Sequence, residues 1–159
     1  MEKKKKISRN KSKVLLFILV LILFLNIYFL VSLEETEVVD KKIVTKIIDG
    51  DTIIIQGGEK VRLLGVDCDE RGKSCYKSAK DWIGDLLIGK EVFVEEDIED
   101  KDRYGRSLRY IFLDGKNVNI LLVEEGFCVA RFERDTKYKE EIVAAEEFAI
   151  KNKIGCKWG

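Results

Sequence analysis

Three runs of β-branched residues, KKIVTKII (41–48), TIIIQ (52–56) and EKVRLLGV (59–66), follow one another with only DGD and GG elements between them. Parallel neighbours need a crossover connection of a dozen or more residues, and there is no room for one here. Turn residues between short apolar runs read instead as an antiparallel meander. EVFVEEDI (91–98) and SLRYIFL (107–113) read as two further strands. Between the third and fourth, SCYKSAKDWIGDLL (74–87) carries Ala79, Trp82, Ile83 and Leu86 at helical spacing, with Ser74 before it and Gly89 after it as punctuation. Asn119 to Glu125 reads as a short helix stopped by Gly126. Thr136 to Asn152 reads as a longer amphipathic helix with Ile142, Ala145, Ala149 and Ile150 on one face. Five strands with three interspersed helices predict an α+β, mainly β, small barrel of the OB type rather than a βαβ sheet.

Ahead of this pattern stands a segment of another kind. Val14 to Leu33 holds no charged residue, and at ~1.5 Å per residue it reaches across a hydrocarbon core of roughly 30 Å. Lys3, Lys4, Lys5, Lys6, Arg9, Lys11 and Lys13 precede it, and Glu34, Glu35, Glu37 and Asp40 follow. The positive-inside rule then orients the basic stretch 1–13 to the cytoplasm and everything beyond Leu33 outside. A cleaved signal peptide competes with this reading, but the apolar stretch exceeds an ordinary h-region and no small-x-small site follows it. The expected organisation is a cytoplasmic tail (1–13), a single-pass anchor (14–33), a spacer (34–41) and a folded domain (42–159) outside the cytoplasm, acting as a monomer.

Setting the anchor aside changes the charge balance. The whole chain has 29 basic and 29 acidic residues, but residues 1–33 hold seven of the bases and one of the acids, so the rest is acidic by about six charges. Such a domain is unsuited to a broad electrostatic grip on nucleic acid, and an anionic substrate must be held by a few local bases.

Cys68, Cys75, Cys128 and Cys156 all fall on the expected outer side, where disulfides persist. Four cysteines allow three pairings, and spacing does not decide among them. A Cys68–Cys75 bridge would close a short loop and leave Cys128 to tie Cys156 to the body. With no C-x-x-C and no histidine, a structural zinc site is disfavoured.

Chemistry concentrates in IIDGDT (47–52), VRLLGVDCDE (61–70) and DRYGRSLRYI (102–111), each at a strand end or turn. Asp51 and Asp67 are hard oxygen ligands of the kind that suit Ca²⁺ with carbonyls and water. Glu70 is a further carboxylate available as a base. Arg62 and Arg106 present planar, permanently charged forks that match phosphate oxygens. A held cation, a base and two arginines are the parts that phosphodiester hydrolysis needs. A serine or thiol nucleophile lacks its usual base, since histidine is absent. Taken singly, each residue has an ordinary structural explanation: Asp49-Gly50 as a hairpin turn, Arg62 and Glu70 as a surface ion pair.

Taken together, the segments resemble the staphylococcal nuclease-like (thermonuclease) family. IDGDT, RLLGVDCDE, DRYGR, DGKNVNILLVEEGF (114–127) and a terminal helix closing on Trp158 occur in the family's order over about residues 42–158. The resemblance implies a five-stranded OB barrel with three helices and a Ca²⁺-dependent phosphodiesterase acting on DNA and RNA to leave 3′-phosphate ends. It implies Asp51 and Asp67 as carboxylate ligands, with the Cys68 backbone carbonyl as a third, and Glu70 as the residue that positions or deprotonates water. Arg62 and Arg106 would hold the scissile phosphate, Arg103 and Tyr104 would contact a terminal phosphate, and Phe132 would stack on a base. The family's proline before the catalytic glutamate is Asp69 here, a carboxylate that could add to cation binding or repel phosphate. Arg131 and Arg134 are candidate extra phosphate contacts. A non-catalytic binding module, and a membrane-anchored domain with a vestigial site, are the alternatives from other classes.

Overall fold

In the computed structural model the described residues are 2–32 and 41–159, with side chains described over 13–28 and 41–159. The chain divides into two units, Met1–Val38 and Val39–Gly159. In the first, helix α1 (Glu2–Ser32) carries exposed apolar side chains from Val14 to Tyr28. Asn26 donates back to the Ile22 carbonyl at 2.7 Å. Among the described residues no helix is long and apolar enough to cross a membrane. The span expected at Val14–Leu33 is therefore not shown, and the side chains of 29–33, of the basic residues 3–11 and of the acidic spacer 34–40 lie outside the described residues.

The second unit is built on the expected meander. Strands β1 (Lys41–Ile47), β2 (Thr52–Ile55) and β3 (Lys60–Leu63) pair antiparallel in succession. After strand β4 (Val66–Cys68) and helix α2 (Tyr76–Leu87), strand β5 (Glu91–Lys101) pairs antiparallel with β1 and with β6 (Ser107–Leu113). A parallel pairing of β3 with β6, Val61 opposite Ser107 and Leu63 opposite Arg109, closes the ring. The result is the expected five-stranded closed barrel with helices. It is filled by Val44, Ile53, Ile55, Val61, Leu63, Val92 and Ile111, all at most 1% exposed. Short β7 (Lys116–Asn117) turns back to pair antiparallel with the end of β6 and leads into helix α3 (Val118–Glu124). The Asn117 side chain caps α3, accepting from the N–H groups of Asn119 and Ile120. Strand β8 (Cys128–Ala130), helix α4 (Lys139–Asn152) and the one-turn helix α5 (Gly155–Trp158) complete the chain.

Three details depart from expectation. The EKVRLLGV run is not one strand: it breaks at Leu64-Gly65, where Gly65 takes φ 76°, and resumes as β4, which pairs antiparallel with β8 in a separate ribbon. Helix α2 starts after Cys75 without a side-chain cap, so Ser74 does not punctuate it. Ile150, placed on the buried face of the long helix by periodicity, is exposed, while Ile142, Ala145 and Ala149 are buried.

The ribbon also decides the cysteines. Its register places Cys68 opposite Cys128 with Cα atoms 4.3 Å apart, and the two form a disulfide. Cys75 joins Cys156. The Cys68–Cys75 pairing considered from spacing does not form, because strand pairing commits Cys68 to β8 and leaves Cys75 to meet the C-terminal helix.

A buried polar residue seals the barrel end. Asn119 is fully buried; its Nδ2 donates to the carbonyls of Leu64 (2.9 Å) and Arg109 (3.2 Å), and its Oδ1 accepts from Ile111 N–H (3.1 Å). These backbone groups sit where β3 leaves β6, so no ladder partner could replace the amide. Asn119→Ala is expected to lower unfolding free energy by about 2–4 kcal/mol, since it strands the Leu64 carbonyl and the Ile111 N–H, while the Arg109 carbonyl keeps Leu64 N–H at 3.0 Å; the shift in urea midpoint at unchanged slope reads the loss.

Candidate active site

The register of the ring brings the charged segments together. Thr52 lies opposite Arg62 across β2 and β3, and the Asp51 carbonyl accepts from Leu63 N–H at 2.8 Å. Arg62 is thereby beside Asp51 at the closed end of the meander. Parallel pairing sets Arg62 opposite Leu108 on β6, just after the turn that carries Arg106. The DG turn needs its glycine for space rather than for an unusual backbone: a Cβ on Gly50 would meet Cys68 Cβ and Ala79 Cβ, each at 2.8 Å. Close approach of this turn to β4 and α2 is what delivers Asp51 to Cys68.

One guanidinium organises the centre. Arg62 Nη1 donates to the carbonyls of Leu63 (2.9 Å) and Val66 (2.8 Å) and lies 3.3 Å from Asp51 Oδ2. Its Nη2 lies 3.3 Å from Asp67 Oδ1. Both carboxylates therefore converge on a single half-buried cation. Asp51 Oδ2 also accepts from Cys68 N–H at 2.8 Å, and Oδ1 accepts from Thr52 Oγ1 at 3.1 Å. Asp67 Oδ2 is met by Arg131 Nη1 at 3.1 Å.

Arg106 joins from the opposite side. Its Nη1 donates to Thr52 Oγ1 at 3.3 Å and its Nε to Asp102 Oδ2 at 2.7 Å, while Asp102 Oδ1 accepts from the N–H groups of Arg106 and Tyr104. Partial burial works to raise the Asp102 carboxyl, but the hydrogen bonds from Arg106 and Tyr104 outweigh it and hold it below its ordinary value. Tyr104 is exposed, with the guanidinium groups of Arg103 and Arg106 at 4.9 Å and 5.5 Å from its ring centroid.

The remaining expected residues are placed differently. Glu70 is exposed, two residues beyond Cys68, and its side chain has no hydrogen bond or ion pair with any described residue. Phe132 is half-buried against the core: a Cβ on Gly65 would come 2.8 Å from its ring and 2.6 Å from Ile142 Cδ1. Arg134 pairs with Glu99 at 3.4 Å, away from Asp67. Asp69 turns to the C-terminus, where Lys157 Nζ lies 2.7 Å from Oδ1, rather than standing as a loose carboxylate among Asp51 and Asp67. The Lys157 hydrogen bond holds the Asp69 carboxyl below its ordinary range.

Sequence reasoning missed Thr52, Asp102 and Lys157. An aspartate four residues before Arg106, across a glycine turn, was a local signal for Asp102. Thr52 and Lys157 carried none.

Among the described residues no group of three or more acidic, cysteine or histidine side chains is gathered so as to hold a metal ion. The centre is a pair of carboxylates, and its electrostatics are uneven. Burial pushes the Asp51 carboxyl up to about 6, with the Asp49 charge adding to the rise, against the lowering influence of Arg62, the Cys68 N–H and the Thr52 hydroxyl.

A closed five-stranded barrel presenting two arginines and two aspartates at one end agrees with what comparison with known proteins finds. The model of the family described as staphylococcal nuclease homologue matches residues 60–158. The chain is 38% identical over 120 residues to a thermonuclease of Staphylococcus hyicus, covering 69% of this chain and 71% of that protein. It is 37% identical over 122 residues to a thermonuclease of Staphylococcus intermedius (70% and 73% covered), and 36% identical over 119 residues to endonuclease YncB of Bacillus subtilis (67% and 56% covered). The chain belongs to the staphylococcal nuclease family. Its enzyme class is that of a nuclease, a hydrolase of phosphodiester bonds.

The raised Asp51 value has a measurable consequence for the metal-free protein. Because the folded value lies above the ordinary 3.8, folding favours the protonated form; the contribution is fully present below the unfolded value and is lost as pH rises through about 6. In EGTA, Asp51→Asn is expected to raise stability at pH 7 by about 1–3 kcal/mol and to flatten the fall in stability between pH 4 and 6, followed by urea unfolding across that range.

Proposed function

We propose that this chain is a Ca²⁺-dependent nuclease that hydrolyses phosphodiester bonds of DNA, RNA or both outside the cytoplasm, leaving 3′-phosphate ends. The observation that carries it is the convergence of Asp51 and Asp67 on Arg62, with Arg106 joined to the same cluster through Thr52. Two arginines and two aspartates from three segments of the chain are brought to one end of the barrel. A purely structural role would not require so many paired charges there.

The donor chemistry of the two gathered aspartates is of the kind calcium takes. Their donors are hard oxygens, and Asp51, raised by burial, gains from a divalent cation what one shared guanidinium does not supply. Asp51, Asp67 and the Cys68 backbone carbonyl would hold the ion, with water completing its shell. When bound, calcium supplies positive charge against the oxygens of the phosphate and of the attacking water.

The chain's own groups do the rest. Arg62 is fixed at Nη1 by two carbonyls, so its orientation is set before substrate arrives and little is lost on binding. It faces one side of the phosphate. Arg106, fixed at Nε by Asp102, faces it from the β6 turn, and the two forks neutralise charge that grows on the equatorial oxygens as water adds to phosphorus. Glu70, exposed and unpaired by any described residue, takes the proton of that water or orients it along the line of attack. Arg103 and Tyr104, exposed and close together, contact a terminal phosphate. Phe132 offers a ring edge to a base from a largely packed position.

A tether to the membrane through residues 14–33, with the catalytic unit on the outer side, belongs to the same proposal. The uncharged run Val14–Leu33, the basic residues before it and the exposed apolar side chains from Val14 to Tyr28 support it. So do four cysteines that are all disulfide-bonded, since such bonds persist outside the reducing cytoplasm. In this arrangement a single copy suffices, and nucleic acid arriving at the cell surface is the substrate.

The deciding experiment is hydrolysis of single-stranded DNA by the full chain in mild detergent, with Ca²⁺ or with EGTA. Cleavage is expected to need Ca²⁺ and to fall by about 10³-fold or more in Glu70→Gln and in Arg62→Ala, with circular dichroism unchanged. Folded wild-type protein that cleaves no better than its variants in Ca²⁺ refutes the catalytic reading, and oligonucleotide binding is then the property to measure.

A further inference from the structure

The segment 69–74, which carries Glu70, is pinned at both ends and in the middle. Cys68 is bonded to Cys128 and Cys75 to Cys156. Between them Asp69 uses both carboxylate oxygens: Oδ1 accepts from Lys157 Nζ at 2.7 Å, and Oδ2 accepts from Cys75 N–H at 2.9 Å and from Ser74 Oγ at 3.5 Å. The pair is well shielded, with the side chains of Lys157 and Asp69 only 18% and 17% exposed. Glu70 C=O accepts from Lys73 N–H at 3.0 Å, which folds the segment into a turn.

The anchor on the other side is itself rigid. Lys157 N–H donates to the Gly126 carbonyl at 3.0 Å. Gly126 and Gly155 have φ of 64° and 70°; a Cβ on Gly126 would lie 2.0 Å from the Ile154 carbonyl oxygen, and one on Gly155 2.2 Å from that of Glu125. Helix α5 therefore docks backbone against backbone on the α3–β8 turn, a seat that no side chain could share. Lys157 reaches Asp69 from that fixed seat, beside the Cys156 bridge.

Glu70 has no side-chain partner among the described residues, so the direction of its carboxylate depends on the backbone of this turn alone. Each freed residue of such a segment regains conformational freedom, and a misplacement of about 1 Å at a reacting group can cost 10²-fold in rate. We propose that Lys157 and Asp69 are positioning residues: their ion pair, backed by the Cys75–Cys156 bridge, locks the 69–74 turn so that Glu70 faces the reacting phosphate. The catalytic consequence rests on the nuclease reading above; the ordering of the turn does not.

The test uses the full chain in detergent, with Lys157→Ala, Asp69→Asn and the conservative Lys157→Arg. Asp69→Asn keeps an acceptor for Cys75 N–H and removes only the charge, so it remains informative if Lys157→Ala folds poorly. Expected in Lys157→Ala and Asp69→Asn is a 10- to 100-fold fall in kcat on a single-stranded oligonucleotide with KM unchanged and terbium binding at the aspartate pair unchanged. Amide exchange at residues 70–74 should accelerate while the barrel strands keep their protection. Lys157→Arg should restore kcat to within several-fold of wild type. A merely structural pair would lower the melting temperature and leave kcat at 20 °C and the exchange of 70–74 as in wild type, and that result overturns the proposal. If the wild-type chain itself does not cleave, the nuclease reading fails and takes the positioning role with it; wild-type cleavage at full kcat in both variants removes the positioning role alone.

Discussion

The parallel pairing of β3 with β6 is the contact on which the site depends. It joins the third strand of the meander to the second arm of the long β5–β6 hairpin, and it turns an open sheet into a ring. Without it Arg62 and Arg106 would stand on separate edges. With it, Arg62 lies one strand from the turn that carries Arg106, and Thr52 can bridge from Arg106 to Asp51. Asn119 completes the closure, giving its amide to the backbone groups that the ring leaves over where β3 bends away.

Around that closure the charges are arranged economically. The folded unit holds 22 basic and 25 acidic residues over 39–159, with no basic excess, so attraction for an anionic substrate is local rather than general. Arg62 is set by two carbonyls and two aspartates, Arg106 by Asp102 and Thr52, and Arg131 meets the far oxygen of Asp67. Elsewhere the excess carboxylates are answered in the same way: buried Arg109 binds Asp100 and Glu96, at 2.6 Å and 3.1 Å, on the long β5–β6 hairpin.

Much of this was legible before any coordinates. Short β-branched runs with turn residues between them foretold the meander, and helical spacing located α2 and α4, because burial on one face enforces those periods; the short α3 was marked by the glycine that stops it. Arg62, Asp67, Asp51 and Arg106 stood out as charges at strand ends, where polar side chains gain nothing from the core. The ribbon β4–β8 escaped notice because three-residue strands have no periodicity to detect. Ile150 was misplaced because the pattern of one helix does not say how wide its covered face is. Asp69 was weighed as a neighbour of the aspartate pair because it adjoins Cys68 in the chain; in space it belongs to Lys157, which no local pattern could have named.

The sequence by itself determined the five main strand runs, the longer helices and the residue types of the site, since these follow from spacing and composition along the chain. Only the tertiary structure decided which cysteines join, which base holds Asp69, and that Asp51 carries a raised carboxyl value. Four thiols have three possible pairings, and the antiparallel register of Cys68 with Cys128 selects one of them. A carboxylate's ordinary acidity is likewise a property of water. What raises it at Asp51 is removal from water beside Asp49, and that exists only once the ring has closed.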